Sequence, residues 1–202
     1  MPHYAKMKPI WAAACMCIAL FADRLCADPS ETTVTSPDGR TVVRVWMSES
    51  GAPYYSVNRD DAVVLLPSRL GIVREDADFS RNLVWEKASP IDVHKGSYRM
   101  VTGKRRICGF HAQTRRITFQ GPDKETMEIE FYVSNDGFAF RYDFPTPSSK
   151  MRVILRELSS FKLPGGSKAW LSPHRNAGTG WCEAQPSYEE YYHEGVPVGT
   201  EA

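Results

Sequence analysis

The residues best suited to chemistry crowd near the C-terminus. The run Trp181-Cys-Glu-Ala-Gln-Pro-Ser-Tyr-Glu-Glu-Tyr-Tyr-His-Glu194 sets Glu183, Glu189, Glu190 and Glu194 among one Trp and three Tyr rings. Carboxylate oxygens are the natural ligands of calcium, a hard cation. Flat aromatic rings offer faces on which sugars stack, and Trp181 and Tyr188 are the candidate platform. A solvated acidic loop would account for the same composition, and the spacing matches no EF-hand loop. Elsewhere the signals are fewer. His94, His111, His174 and His193 lack the His-x-x-x-His spacing of a metal pair. There is no Gly-x-Ser-x-Gly elbow and no Gly-rich phosphate loop with its Lys, so neither serine hydrolysis nor nucleotide chemistry is indicated. The basic triplet Lys104-Arg-Arg106 reads as a solvated strand edge.

The elements that must position these residues read as strands and turns. Ser36-Pro-Asp-Gly-Arg40 is a turn, because Pro fixes φ and Gly accepts a positive one. The β-branched run Thr41–Met47 follows it as a strand. Tyr54–Val57 and Ala62–Leu66 predict two more strands, with Asn58–Asp61 as the hairpin loop between them. Pro67 has no N–H for a ladder and is expected to end that pairing. In Glu128–Val133, Ile129, Phe131 and Val133 share one face, against Glu128, Glu130 and Tyr132 on the other. Ser134–Gly137 then turns the chain into Phe138–Phe144, where Phe138, Phe140, Tyr142 and Phe144 alternate with Ala139, Arg141 and Asp143. This predicts an antiparallel hairpin with a buried aromatic face. Residues 151–161 fit a strand or a helix, and the surrounding β context favours a strand. Many short strands between turns argue for an all-β sandwich. From Ser172 onward the strand pattern stops, and the tail reads as a loop leading into something else.

Composition bounds the rest. The chain has 202 residues, a formal net charge of +1 and 42% hydrophobic residues. That is enough for one core, with no charge excess pointing to nucleic acid or to a membrane surface. Lys6 and Lys8 precede the apolar run Ile10–Ala22, which is too short to span a bilayer. Charge, apolar run and small residues come in the order of an export signal over 1–27, cleaved after Ala27 or alternatively Ala22. The expected product is an exported protein, periplasmic or secreted and not membrane-embedded, with residues 28–202 as its domain. Cys15, Cys17 and Cys26 would leave with the signal. Cys108 and Cys182 would remain, either as one disulfide or as two separate thiols, and spacing does not choose between them.

An ordered series of short motifs gives a resemblance. Ser36-Pro-Asp-Gly-Arg40, Pro53-Tyr-Tyr-Ser-Val57, Leu66-Pro-Ser-Arg-Leu-Gly71 and Tyr98-Arg-Met-Val-Thr-Gly-Lys-Arg105 come first. Asn135-Asp-Gly-Phe-Ala-Phe-Arg-Tyr142, Phe161-Lys-Leu-Pro164 with Ala169-Trp170, and Ser187-Tyr-Glu-Glu-Tyr191 follow. The sequence resembles the N-terminal domain of glycoside hydrolase family 97, bacterial α-glucosidases and α-galactosidases. The resemblance implies a β-super-sandwich like that of galactose mutarotases, packed against a (β/α)8 barrel that carries the catalytic carboxylates. It implies an α-linked oligosaccharide as substrate and calcium as cofactor. Of the tail carboxylates, Glu189 matches the family's calcium-ligating glutamate, with Glu190 the alternative because the acid is doubled here. The barrel lies outside these 202 residues, so no catalytic residue of the family is expected in this chain. The expectation is a domain inactive by itself and separated from its barrel. A free-standing sugar-binding module without enzymatic activity is the alternative.

Overall fold

A computed structural model describes residues 30–172 and 192–201. Among them are no helices, and the strands run from β1 to β14 in chain order. The first sheet is an antiparallel meander of β1 (Glu31–Thr35), β2 (Thr41–Met47), β3 (Pro53–Arg59) and β4 (Ala62–Arg69). Its first turn forms where Ser-Pro-Asp-Gly predicted one. Gly39 takes φ 75°, the Ser36 hydroxyl donates to Asp38 at 2.5 Å, and the Asp38 carboxyl accepts the Arg40 N–H. The β3–β4 hairpin is tighter than the sequence suggested. Its loop is Asp60-Asp61 alone, at φ 48° and 64°, the left-handed pair of a type I′ turn.

Pro67 does not end β4, contrary to the expectation. Tyr55 pairs with Ser68 and Val57 with Leu65, so the ladder steps over Leu66 and Pro67 as a bulge. A bulge is where a strand tolerates a residue with no N–H. The displaced groups find other partners: Leu66 N–H donates to Lys162 O at 2.8 Å, and the Ser68 hydroxyl donates to Leu66 O at 2.8 Å.

The second sheet has the order β11-β10-β9-β7, with β8 also on β9. These are β7 (Val84–Ala88), β8 (Asp92–Arg99), β9 (Ile107–Gln120), β10 (Thr126–Ser134) and β11 (Gly137–Asp143). The β10–β11 hairpin closes with Ser134 opposite Gly137, in the predicted register. Met127, Ile129, Phe131 and Val133 are fully buried on one face of β10. They meet Val43, Val45, Tyr55 and Val57 of the first sheet in one core, which Ile117 and Phe119 of β9 complete. Tyr55 reaches across to Phe131, ring centroids 6.1 Å apart. Burying each aromatic side chain contributes roughly 1.5–3 kcal/mol. The all-β sandwich is therefore as expected.

Two small sheets flank the sandwich. One orders β12 (Ile154–Glu157), β5 (Ile72–Arg74) and β6 (Asp78–Phe79), so residues 154–157 are strand, as chosen over helix. The other pairs β13 (Lys168–Leu171) with β14 (His193–Pro197). The tail is thus not loop to its end. His193, Glu194 and Gly195 belong to a strand that returns to β13, because Val196 and Pro197 find Ala169 and Lys168 as cross-strand partners. The basic triplet lies in the exposed connection between β8 and β9, not along a strand edge. Residues 1–27, the expected signal, lie outside the described residues. So does Cys182, while Cys108 is a free, half-buried thiol on β9.

Candidate functional site

Trp181, Tyr188, Glu189 and Glu190 lie outside the described residues, as do His174 and Glu183. What the structure fixes is the pair of strands from which that segment departs and to which it returns. Leu171 at the end of β13 pairs with His193 at the start of β14. Beside them Trp170, 67% exposed, and Tyr192, 50% exposed, present aromatic surface to solvent. Glu194 is exposed on β14. Among the described residues no group of three or more His, Cys, Asp or Glu side chains converges as a metal site.

A cluster of titratable groups lies on the outer face of the second sheet. Cross-strand register sets Glu130 of β10 between Arg116 of β9 and Arg141 of β11. Arg141 reaches Glu130 at 2.7 Å, Arg116 at 3.3 Å, and the Tyr132 hydroxyl donates to it at 2.7 Å. Burial would raise the Glu130 carboxyl, but the Tyr132 hydroxyl and the two guanidiniums overcome that and hold it below its ordinary value. A general acid for glycoside cleavage needs the opposite shift. Glu128, two residues along, faces Arg116 at 3.5 Å. These carboxylates are ion-paired on a sheet face and serve to bind its strands together. In the core, burial first and Tyr142 second push Tyr55 up to about 12. It acts there as a neutral donor, to Ser160 O at 2.9 Å.

Two surface features remain. The first is apolar. After the β10–β11 hairpin, Met151 is 89% exposed, Ile154 54%, Leu155 64% and Phe161 60%. Phe161 nevertheless touches the core aromatics, 6.1 Å from Phe140 and 6.3 Å from Tyr55 between centroids. At Phe161 the aromatic interior therefore reaches the surface, beside the edge strand β11.

The second is a groove of about 440 Å³ on the outer face of β8, β9 and β10. Gly96 of β8 stands opposite Phe110 of β9, and the Phe110 ring lies over it, so close that a Cβ at position 96 would sit 2.6 Å from the ring. His94 stacks on Phe110 with centroids 4.8 Å apart and planes at 23°. Tyr132 meets His94 edge-on at 5.5 Å and 81°. Ser134, Asn135 and Asp136 of the next turn complete the rim. Sequence reading finds no metal spacing at His94 and has no reason to single out Phe110. The two meet through cross-strand register, and the signal available was a Gly two residues after a His in a strand otherwise exposed.

Comparison with known proteins adds the following. The family model described as glycosyl-hydrolase 97 N-terminal matches residues 34–200. A probable retaining alpha-galactosidase of Streptomyces bingchenggensis is 34% identical over 152 residues, 74% of this chain and 23% of that protein. The crystal structure of a beta-arabinopyranosidase matches with TM-score 0.73 and 27% identity, over 82% of this chain and 26% of that one. A glycoside hydrolase family 97 enzyme from Pseudoalteromonas sp. strain K8, in complex with acarbose, matches with TM-score 0.64 and 25% identity, over 71% and 22%. A glycoside hydrolase family 97 enzyme variant from the same strain, in complex with panose, matches with TM-score 0.63. The chain thus spans about a quarter of the length of these relatives.

Proposed function

The chain belongs to the glycosyl-hydrolase 97 N-terminal family, and from that premise we propose that it is the pocket-shaping domain of an exported, calcium-dependent exo-α-glycosidase. The observation that carries the reading is the apolar surface of Met151, Ile154, Leu155 and Phe161. Exposed apolar patches mark interaction faces, and the three quarters of the relatives beyond this chain's reach supply an occupant. Glycoside cleavage needs a carboxyl pair flanking the scissile bond. In this reading the pair comes from a (β/α)8 barrel, whose active sites gather at the C-terminal ends of its strands.

The domain's own contribution comes from the segment held between β13 and β14. Trp181 and Tyr188 would meet the sugar, and Glu189, or Glu190, would give one carboxylate to calcium, an ion that takes six to eight oxygens in all. Bound there, calcium would supply Lewis-acid polarisation or position water. The substrate is an α-linked oligosaccharide, with α-galactosides and α-glucosides the first candidates. Residues 1–27 would direct export.

The test is direct. Purified 28–202 should show no turnover of nitrophenyl α-galactoside, α-glucoside or β-arabinopyranoside, with or without calcium. It should bind a separately produced family barrel, and Ile154→Lys with Leu155→Lys should abolish that binding. Hydrolysis by the chain alone, or barrel binding indifferent to the two lysines, would overturn the proposal.

A further inference from the structure

The Phe110–His94 groove belongs neither to the core nor to the proposed docking face, and its chemistry is specific enough to name a ligand class. Its apolar part is aromatic: His94 and Phe110 stack on each other, with Tyr132 edge-on to His94. Gly96 makes this possible, since any side chain there would drive Phe110 upright off the sheet. Phe110 nevertheless remains 39% exposed, so the ring does more than cover a glycine. The His94 ring nitrogens hold no hydrogen bond among the described residues. The rim is polar, with Ser134, Asn135 and Asp136 at the turn. The Ser134 hydroxyl donates to the Asp136 carboxylate at 2.6 Å and keeps it below its ordinary value, so it stands there as an ionised acceptor. Neither Lys nor Arg is among the lining residues, although the Arg59 guanidinium donates to the Asn135 carbonyl at 2.8 Å and so stands beside the rim.

An exposed aromatic face beside a polar turn matches a pyranose, which has a CH face and a periphery of hydroxyls. We infer that this groove binds one pyranose ring of a neutral oligosaccharide, the sugar stacking on the outer, solvent-facing side of the Phe110–His94 pair with its hydroxyls toward Asn135 and Asp136.

The inference does not depend on hydrolysis or on calcium, and its assay is separate from both. The full chain, labelled with 15N, is titrated with maltotriose and with melibiose. The expected result is saturable amide shifts centred on Gly96, Gly109, Ser134 and Asn135. Phe110→Ala should weaken binding about tenfold, the size of one aromatic stacking contact. Phe110→Leu, which keeps an apolar cover over Gly96 without a ring, should lose as much. Ile107→Ala, on the same strand but facing the other way, should change nothing. No shifts with either sugar, shifts confined to other parts of the chain, or unweakened binding by Phe110→Leu would each overturn the assignment.

Discussion

Replacing Arg74 tests the account of how the flanking sheet is fastened to the sandwich. Arg74 ends β5 with its side chain only 6% exposed. It donates two hydrogen bonds to Asp76, at 2.9 and 3.0 Å, and approaches Glu125 at 3.8 Å. Its guanidinium also lies over two rings, Phe144 at 4.5 Å and Phe79 at 5.1 Å. A charge-assisted bidentate bond contributes about 1.5–3 kcal/mol, and cation–π contact about 0.5–2 kcal/mol. Arg74→Met fills the space but abolishes both. Asp76 and Glu125 are 26% and 30% exposed, so water can reclaim them, and Asp76 keeps Arg152 as a partner. The loss should therefore fall short of the full 3–5 kcal/mol of a broken, fully buried pair. About 2–4 kcal/mol is expected, read as a lower urea midpoint at unchanged slope. Arg74→Lys keeps the charge but not the planar fork and should fall between. A loss under about 1 kcal/mol for Arg74→Met would refute the claim that this guanidinium holds the two layers together.

Glu130 is held below its ordinary value, so its ion pairs stabilise the fold fully above the unfolded value of about 4.5 and fade as pH falls through the lower folded one. Glu130→Gln should flatten the acid limb of a stability–pH curve between about pH 5 and 3 while leaving the groove's sugar shifts in place. A parallel acid limb would count against the network. Asp61 sits at φ 64° in the type I′ turn, where Gly is at ease. Asp61→Gly should raise stability by about 0.5–1 kcal/mol, since Asp60 and its bond to Arg40 are untouched, and thermal melting should register a gain.

The sequence was most legible where local pattern and tertiary burial agree. In β10 the alternation of Ile129, Phe131 and Val133 with Glu128 and Glu130 leaves one choice of face, and Ser-Asn-Asp-Gly leaves one place to turn. It was least legible in β8 and the first half of β9. Asp92–Arg99 is exposed almost throughout, so no apolar period marks it as strand. β9 carries Arg115 and Arg116 through its middle, tolerated because Arg115 donates to Ser89 O and Thr33 O and Arg116 pairs with Glu128 and Glu130. The aromatic groove was hidden for the same reason, since its rings meet by register between strands and not by spacing within one. β14 escaped notice because its partner is more than twenty residues earlier and its last residue is Pro197.

The bulge at Pro67 also bears on how this protein survives at high concentration. β4 is the outermost strand of its sheet, and Val63 and Val64 on it are 47% and 41% exposed. A long, flat border of that kind invites a second molecule to zip onto it and seed fibrils. Here the border is interrupted: Pro67 offers no donor, and Lys162 and Ser160 already occupy the polar groups of Leu66 and Arg69. What remains uncovered is the first half of the strand, so the bulge and the segment bonded to it together shorten the border on which a neighbour could pair.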